Sequence, residues 1–445
     1  MKKRKSIIFL LAAVLLLSVT LQPLKASAAS AVQYGDYVCN DGSDEVIIYR
    51  YLGSDKHVVI PSELGGRPVV GMEFFTYKMN GTQIILGNDF LESVDLPDSI
   101  ISIQSNVFAN CTKLKKVHFG RKQTYLSSGA FKGCGLLSDI NMENVAGIAS
   151  NVFEDCTGLK SADLTNAEYI GAYAFRNCVN LEKVAFGKQT QFYEGTFSNC
   201  PKLSKIYFSK ELETIDGYFL SGCDSVKDIY YEGSQEDWNK VAIDPAAADK
   251  LKGVTMHYNH PTFFDVNDAD WFYPYVSYVN EKGLMTGLKN TAFGAGQALA
   301  RAQFAVILHR MNQEPEVEYT AKFKDVADQH WYTNAILWAN SEGIVTGYSD
   351  SGLFGTSDNI NREQMAVMMY RYAKYKGEDV SVQGEVGQFK DASSVSGFAK
   401  EAMQWAVGTG IITGKDNGTR LDPQGNASRA ECATIIMRFA EKFGM

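Results

Sequence analysis

The stretch VFEDCTGLKSADL, residues 152–164, is one of six similar stretches in this chain of 445 residues. The other five begin at residues 107, 130, 174, 196 and 219, and the cysteines of the six lie 22 or 23 residues apart. Their shared frame is Phe-x-x-Cys-x-x-Leu-x-x-Val-x-Phe, whose last part alternates apolar and polar residues as a half-buried strand does. A period of roughly 20–29 residues with this pattern predicts a leucine-rich solenoid in which each coil contributes one short strand.

The first 30 residues have the order of a secretory signal peptide. KKRK at residues 2–5 precedes the apolar run IIFLLAAVLLLSVTL, and the small-residue stretch ASAAS follows. No later segment has the roughly 20 apolar residues that a membrane helix needs, so we expect an exported chain without a membrane span after cleavage. Cleavage would remove five Lys/Arg and no acid, which changes the net charge from −8 to −13. Such an acidic chain is a poor nucleic-acid binder, because that affinity depends on neutralising phosphates.

The six frame cysteines have three alternative roles. Disulfides are common in exported proteins, and a cysteine can also be a catalytic nucleophile. One cysteine at a fixed place in every coil instead favours a buried thiol, since buried cysteine behaves as a small hydrophobe. We therefore predict a ladder of reduced, inaccessible thiols at Cys111, Cys134, Cys156, Cys178, Cys200 and Cys223.

The six stretches resemble the BspA-type leucine-rich repeats of surface proteins. VIIYRYLGSDKHVVIPSELGGRPVVGM from Val46 is similar to the entry segment of that family, and LESVDL from Leu91 is interpreted as an irregular first coil. IYYEGSQEDWNKVAID from Ile229 and VTMHYN from Val254 are similar to its closing cap. This resemblance implies a rigid display surface for a protein or glycan partner, and it does not imply catalysis.

A second repeat begins directly after His260-Pro261 and has three units. Each unit opens with Phe-x-Asp, continues to a Gly-x-x-Thr-Gly loop and ends in an arginine-led apolar stretch. These stretches are LARAQFAVILHRM (299–311), INREQMAVMMYRY (360–372) and ASRAECATIIMRF (427–439). Apolar residues at helical spacing, such as Ala335, Ile336 and Ala339, predict helix, loop, helix in each unit. Ser428 and Glu431 form a capping box, Asn361 and Gln364 form a weaker one, and Ala300 cannot cap.

The leading arginine of each stretch needs a compensating partner. At a helix start it faces the positive end of the helix dipole, which costs about 0.3–1 kcal/mol. One alternative is an acid of the same unit, which would make the arginine structural. The other is a bound carboxylate, held by the guanidinium and the helix-start amides. The chemistry leaves both open for Arg301, Arg362 and Arg429, with Asp265, Asp325 and Asp391 as the acids.

The three units resemble S-layer homology modules. That resemblance implies an α-helical, pseudo-threefold trimer that binds secondary cell-wall polysaccharide, frequently through the carboxylate of a pyruvylated sugar. It assigns the three arginines to binding grooves, and it assigns Trp271 and Trp331 to an aromatic position where a ring stacks on a sugar. Core packing is the alternative for both tryptophans. The third unit has Gly397-Phe398 in place of the tryptophan and the first has LARAQ, so we expect unequal grooves in which Arg301 matters least.

These patterns together predict an α+β multidomain chain, a leucine-rich-repeat solenoid followed by an all-α pseudo-threefold trimer. The expected segments are a signal peptide (1–30), the solenoid with its caps (31–261) and three modules (262–318, 319–380 and 381–445). The predicted polysaccharide-binding residues are Arg301, Arg362, Arg429, Trp271, Trp331, Asp265, Asp325 and Asp391.

No pattern in the chain indicates catalysis or a bound metal. HExxH, GxSxG and a phosphate-binding glycine loop are absent from the sequence. Asp265, Asp268 and Asp270 lack the glycine and distal glutamate of a calcium loop, and we interpret them as helix-start acids. We therefore expect a bacterial cell-surface protein, attached to the wall without cofactor or enzymatic activity. Its solenoid would bind an unknown protein or glycan; the alternative is a structural S-layer lattice component with the solenoid as packing mass.

Overall fold

The computed structural model describes residues 31–40, 44–73, 78–80, 83–85, 87, 89–187 and 191–444. The predicted signal peptide lies outside these residues and stays a prediction. The strands are β1 Val32–Tyr34, β2 Tyr37–Cys39, β3 Val46–Tyr51, β4 His57–Val59, β5 Glu63–Leu64, β6 Arg67–Met72, β7 Lys78–Asn80, β8 Gln83–Ile85, β9 Ser93–Asp95, β10 Ser102–Ile103, β11 Lys116–His118, β12 Thr124–Leu126, β13 Asp139–Ile140, β14 Val145–Ile148, β15 Ser161–Leu164, β16 Tyr169–Ile170, β17 Lys183–Phe186, β18 Gln191–Phe192, β19 Lys205–Phe208, β20 Thr214–Ile215, β21 Asp228–Tyr231, β22 Ala242–Ile243 and β23 Thr255–His257. The helices are α1 Gln235–Trp238, α2 Pro245–Lys250, α3 Tyr273–Glu281, α4 Arg301–Met311, α5 Thr333–Ser341, α6 Arg362–Tyr375, α7 Lys400–Gly408 and α8 Arg429–Phe443.

The described coils of the solenoid build a front sheet and a side sheet of parallel strands, and the entry segment forms a separate sheet, β1-β2-β3-β6-β5. The front sheet consists of two ladders. The first has the strand order β4-β9-β11-β13, and the second has the order β15-β17-β19-β21-β23. The side sheet is β10-β12-β14-β16-β18. The expectation of one short strand per coil is therefore wrong, because the turn between coils is itself extended enough to pair with the coils beside it. LESVDL does supply a first coil, since β9 lies within it and pairs with β11.

An asparagine interrupts the front sheet after its first ladder. The Asn141 side chain accepts from the backbone amide of Phe119 at 2.7 Å and donates to the Phe119 carbonyl at 3.0 Å. It thus replaces a backbone pairing, and the chain turns away in a 3-10 helix at Met142–Asn144. This explains why β13 is only two residues long.

Phenylalanine rings and thiols fill the solenoid core. Rings one coil apart stack, with centroids 5.7 Å apart for Phe131–Phe153 and 5.1 Å apart for Phe153–Phe175. The thiols of Cys134, Cys156, Cys178 and Cys200 each donate to a phenylalanine carbonyl of the preceding coil, as Cys178 Sγ does to Phe153 at 3.1 Å. All eight cysteines are buried and none forms a disulfide, which confirms the predicted thiol ladder.

The residue before each frame cysteine has a left-handed backbone. Such a conformation strains most side chains but is tolerated by glycine, asparagine and aspartate. The sequence supplies only these three types at that place, which is why every coil can turn there. The residues are Asn110 (φ 58°), Gly133 (76°), Asp155 (63°), Asn177 (63°), Asn199 (57°) and Gly222 (75°).

The three C-terminal units pack in a cycle. Each has two helices joined by a loop, as predicted: α3 and α4, α5 and α6, α7 and α8. The second helix of each unit packs on the first helix of the next, giving the pairs α4–α5, α6–α7 and α8–α3. Strand-like bridges before the second helices also join the units, at Ala300–Asn359, Asn361–Asn426 and Ala298–Ser428.

The first unit lies against the front sheet of the solenoid. Ala185, Tyr207 and Tyr230 share one register row and point away from the solenoid core, yet they are at most 7% exposed. The ring of Phe264 covers them, with its centroid 5.1 Å from that of Tyr207. Lys183 Nζ also donates to the carbonyl of Phe264 at 3.0 Å. The C-terminal part of the front sheet is therefore an internal contact surface.

Candidate functional site

Each motif arginine holds a loop of another unit. Arg429, in the third unit, donates from Nε to the carbonyl of Phe293 at 2.7 Å and from Nη2 to that of Thr286 at 2.5 Å. Both acceptors belong to the first unit, so the last unit is bound directly to the first. The equivalent bonds are Arg301 Nε–Phe354 O (3.0 Å), Arg301 Nη2–Thr346 O (3.3 Å), Arg362 Nε–Leu421 O (2.8 Å) and Arg362 Nη2–Thr413 O (3.2 Å).

The three aspartates hold the same loops from within their own units. Asp325 accepts from the backbone amides of Phe354 (2.7 Å), Gly355 (2.8 Å) and Thr356 (3.0 Å). Burial raises the pKa of Asp325, but these amide donors outweigh it and leave the pKa below its ordinary value. Phe354 is thus fixed at its amide by Asp325 and at its carbonyl by Arg301. The equivalent pairs are Asp265 with Phe293 and Gly294, and Asp391 with Leu421 and Asp422.

The alternative in which each arginine pairs with an acid of its own unit is wrong. In the part of the chain that the structure describes, the guanidiniums bind loop carbonyls of another unit, and Glu431 lies 3.6 Å from Arg362 Nη1. The three arginines are only 4–6% exposed, so they are not open helix starts either. Burial lowers the pKa of each guanidinium, which nevertheless stays protonated in proteins. They are buried cations that join the units.

The acids of the DVNDAD segment do not start helix α3, so that interpretation is wrong. Asp268 lies 3.0 Å from His257 Nδ1 and 3.2 Å from His260 Nε2, where it joins the first unit to the end of the solenoid. Asp270 accepts from a backbone amide of its own loop at 2.7 Å, and Asp265 binds the loop amides given above. No group of three or more His, Cys, Asp or Glu among the described residues is arranged to hold a metal ion.

The tryptophans at the aromatic position are exposed. Trp271 is 62% exposed and Trp331 is 63% exposed, each just before the first helix of its unit. The core-packing alternative is therefore wrong for both. Phe398 in the third unit is 65% exposed at the equivalent place. All three units thus present an aromatic ring to solvent.

A groove lies between the second helix of each unit and the aromatic residue of the next. Groove one, of 230 Å³, lies beside α4; its lining includes Trp331, Arg310, Arg429, Gln303 and Thr286. Groove two, of 500 Å³, lies beside α6; its lining includes Phe398, Arg371, Lys374, Glu342 and Glu401. Groove three, of 410 Å³, lies beside α8; its lining includes Trp271, Arg362, Arg438, Lys415 and Glu431.

A second arginine in each stretch lines a groove and is missing from the predicted site residues. Arg310, Arg371 and Arg438 each follow the leading arginine by nine positions and are half-buried. Nine positions are about two and a half helical turns, so the two arginines of a helix face opposite sides. The leading one reaches a neighbouring unit and the second faces the groove of its own unit. The repeated nine-residue spacing is the sequence signal that identifies them.

The grooves differ in charge. Groove one contains two arginines and no carboxylate among its lining residues. In groove three, Glu431 lies 3.0 Å from Lys415 Nζ, so part of its positive charge is already neutralised. The difference arises because Gln303 stands in the first unit where Glu431 stands in the third. The departure in LARAQ therefore leaves groove one more open to an anion.

Two families match the chain. BspA type Leucine rich repeat region matches residues 85–193 and 142–246, in six copies. S-layer homology domain matches residues 262–305, 322–366 and 388–433. Both modules are typical of non-catalytic surface or anchoring proteins.

Three relatives share part of their length with this chain. The endoglucanase of Bacillus sp. (strain KSM-635) is 34% identical over 174 residues, which are 39% of this chain and 18% of that protein. The surface-layer 125 kDa protein of Lysinibacillus sphaericus is 31% identical over 163 residues, 36% of this chain and 13% of that protein. The cellulosome-anchoring protein of Acetivibrio thermocellus (strain ATCC 27405) is 27% identical over 161 residues, 36% of this chain and 35% of that protein. The chain thus spans about a third of these proteins or less. Separately, none of the described helices is long and apolar enough to cross a membrane.

Proposed function

Because the chain carries BspA-type leucine-rich repeats followed by three S-layer homology domains and is a surface protein attached to the cell wall, we propose that its three grooves bind an anionic secondary cell-wall polysaccharide. The attachment is non-covalent, and the three domains act as one pseudo-threefold trimer. The carboxylate of a pyruvylated sugar is the anion that fits a guanidinium best, since it accepts two parallel hydrogen bonds.

One observation carries this proposal: every groove combines an exposed aromatic ring with cationic side chains. An exposed tryptophan loses apolar burial unless something covers it, and a sugar ring offers a flat, partly apolar face. The cations beside it supply the attraction for a carboxylate. The same combination in three equivalent places is not needed for packing, because the rings contribute little to the core.

The residues of the site divide into two roles. Trp271, Trp331 and Phe398 contact the sugar, together with the second arginines of the helices. Arg301, Arg362 and Arg429 join the units and shape the grooves, and two of them also line a groove. Asp265, Asp325 and Asp391 position the loops that the arginines bind, so they act on the ligand indirectly.

Groove one is the strongest site. No lining residue of groove one is a carboxylate, and the ion pair of Arg310 with the exposed Glu314 is long, at 3.5 Å. In groove three, by contrast, the ligand competes with Glu431 for Lys415. The ligand carboxylate and the Glu431 carboxylate carry the same charge, so each disfavours the other beside Lys415. We thus expect affinity to fall from groove one to groove three.

The test is co-sedimentation of the mature protein with purified wall polysaccharide. Trp331→Ala should weaken binding about tenfold, which corresponds to about 1.4 kcal/mol, because groove one loses its stacking surface. Trp271→Ala should weaken it less, and Tyr218→Ala serves as the matched control, because Tyr218 is an exposed aromatic of the solenoid, outside the three grooves. Melting temperatures of all variants should match that of the wild type. Wild-type binding by a triple variant of Trp271, Trp331 and Phe398 would contradict the proposal.

The solenoid presents a partner-binding surface on the uncovered part of its front sheet. Strands β4, β9, β11 and β13 lie beyond the contact with the first domain, and their outward residues carry both signs of charge. Asp95 and His118 pair in one register row, with His118 Nδ1 3.3 Å from Asp95 Oδ1, and Asp139 lies diagonally, 3.8 Å from His118 Nε2. A protein or glycan partner would bind here. Asp95→Arg should abolish its capture by immobilised mature protein, whereas Asp224→Arg in the sixth repeat should not.

A further inference from the structure

A cleft of 920 Å³ lies between the solenoid and the first S-layer homology domain. Turns of the solenoid, including Glu168, Ser209 and Glu211, form one wall, and the loop of residues 286–290 forms the other. We propose that this cleft extends groove one and binds the uncharged sugars that adjoin the anionic sugar in that groove. The inference rests on the proposed function of groove one and adds a subsite built partly by the solenoid.

Groove one and the cleft lie on the two sides of one loop. Thr286, Gly287 and Leu288 line both cavities. Thr286 and Leu288 are exposed, so a ligand lying across this loop contacts both sides of it. Groove one alone, at 230 Å³, is smaller than the roughly 300–1,000 Å³ of ordinary small-molecule sites. A polymer therefore needs the cleft to bury more than a small part of its length.

The two walls of the cleft are fixed relative to each other. Contacts join the solenoid to the loop and to helix α3, so the walls do not have to assemble around a ligand. Pre-formed walls lower the entropy lost on binding. The contacts are Thr291 Oγ1 to Asp163 Oδ2 (3.2 Å), Asn290 Nδ2 to Thr165 Oγ1 (2.8 Å), Lys289 Nζ to Glu143 Oε1 (3.1 Å) and Asn280 Nδ2 to Glu232 Oε1 (3.0 Å).

The charges of the cleft select sugars without charge. Glu168, Glu211 and Glu232 line it, and its cation Lys289 is already paired with Glu143. An anionic sugar would be repelled, whereas sugar hydroxyls donate hydrogen bonds to carboxylates, and such charge-assisted bonds are strong. Groove one has the opposite charge. Groove one would therefore bind an anionic sugar of the polymer at its arginines, and the cleft would bind the neighbouring neutral sugars at its glutamates.

The experiment measures affinity against ligand length. Wall polysaccharide is cut into fragments of increasing size, and each is titrated calorimetrically into the mature protein and its variants. Glu211→Trp places a large side chain in the cleft at an exposed position. Glu194→Trp makes the same change at an exposed solenoid position that does not line the cleft, and it is the matched control.

Wild-type protein and Glu194→Trp should gain affinity with fragment length until the cleft is filled. Glu211→Trp should bind the shortest fragments like wild type but gain nothing from length, ending about tenfold weaker. Equal affinity of Glu211→Trp and wild type for the longest fragments overturns the cleft subsite and leaves groove one intact. Failure of every fragment to bind wild type overturns the groove proposal, and the cleft with it.

Discussion

The solenoid and the S-layer homology region both repeat their sequence, but the first repeats in a line and the second in a ring. In the line, a contact joins one coil to the coil before it, as Cys178 Sγ does with Phe153 at 3.1 Å. In the ring, Arg429 of the last domain binds Phe293 of the first, 136 residues earlier. The coils at the two ends of the solenoid therefore have one neighbouring coil each, whereas every domain of the ring has two neighbouring domains.

This difference predicts how each region fails. In a linear array, stability is approximately a sum of units and nearest-neighbour contacts, so damage stays local and the ends open first. In the ring, each domain has two neighbours, and opening one contact weakens all three. Local loss in the solenoid and shared loss in the ring are the outcomes to look for.

The largest effect should come from opening the ring at Arg429. Arg429→Ala removes two hydrogen bonds from a charged donor and leaves the carbonyls of Phe293 and Thr286 without it. At about 1.5–3 kcal/mol for each such bond, the expected loss is roughly 3–6 kcal/mol. Hydrogen exchange should speed up in α4, α6 and α8 together.

Arg420→Ala in the same domain is the control, because Arg420 is exposed and its ion pairs with Asp416 and Asp422 should contribute at most about 1 kcal/mol. An effect of Arg429→Ala confined to α8 would show that the domains are independent. Because Arg429 is buried, its removal should lower stability and should not act on ligand binding alone.

Thiol labelling tests whether the solenoid opens from its ends. Burial raises the pKa of Cys200 to about 12, from an ordinary value of 9.0, so at pH 8 the native thiol should react roughly a thousandfold more slowly than an unfolded one. In mild denaturant, Cys111 and Cys223 in the end coils should react before Cys156 in the middle. Cys432, in the ring, should become reactive in a single step.

Full unfolding without reductant is the control for that experiment. All six ladder cysteines should then react at the rate of a free thiol. Cysteines that stay protected in the unfolded, unreduced protein would be bridged by disulfides, and the buried ladder would be wrong.

A cavity in the middle of the solenoid should lower the free energy of unfolding slightly less, and its effect should stay local. Phe153→Ala removes a fully buried ring stacked between Phe131 and Phe175, which should destabilise the solenoid by about 3–5 kcal/mol. Exchange should increase in the coils on either side and remain unchanged in the ring. Phe398→Ala is the control: its ring is 65% exposed, so stability should change by less than about 0.5 kcal/mol.

The smallest effect should come from completing a helix cap in the ring. Gln303 Oε1 already accepts from the amide of Ala300 at 3.0 Å, which is half of a capping box. Ala300→Ser supplies the missing acceptor and should raise stability by about 1 kcal/mol. Ser428→Ala, the reverse change in the third domain, should lower it by a similar amount. Melting curves that move in the same direction for both variants would contradict this account.

The sequence predicts both repeat architectures because each depends on local periodicity. The cysteine frame determines the coil, and the column of Asn, Gly and Asp before it permits the left-handed turn. Helix, loop, helix follows from spacing in the same way, and so do the capping boxes at Ser428 and Asn361. The boundaries of the five predicted segments stay predictions.

The partners of repeated residues could not be read from the sequence. Three identical stretches look the same whether Arg301 binds its own domain or the next one, because only ring closure distinguishes these cases. The exposure of Trp331 was equally hidden, since a repeated aromatic position does not show which side faces solvent. The contact of Phe264 with Tyr207 joins two different repeat systems, so neither period predicts it.

The contact between the solenoid and the first domain has a mechanical consequence. When flow pulls the exposed end of this protein away from the cell, the force passes from the solenoid into helix α3. Helix α3 packs on α8 of the last domain, so the tension is divided at once between both ends of the anchor. Domains joined only by linkers would detach from the wall one after another. Here several contacts would have to break together, so we expect the attachment to resist shear.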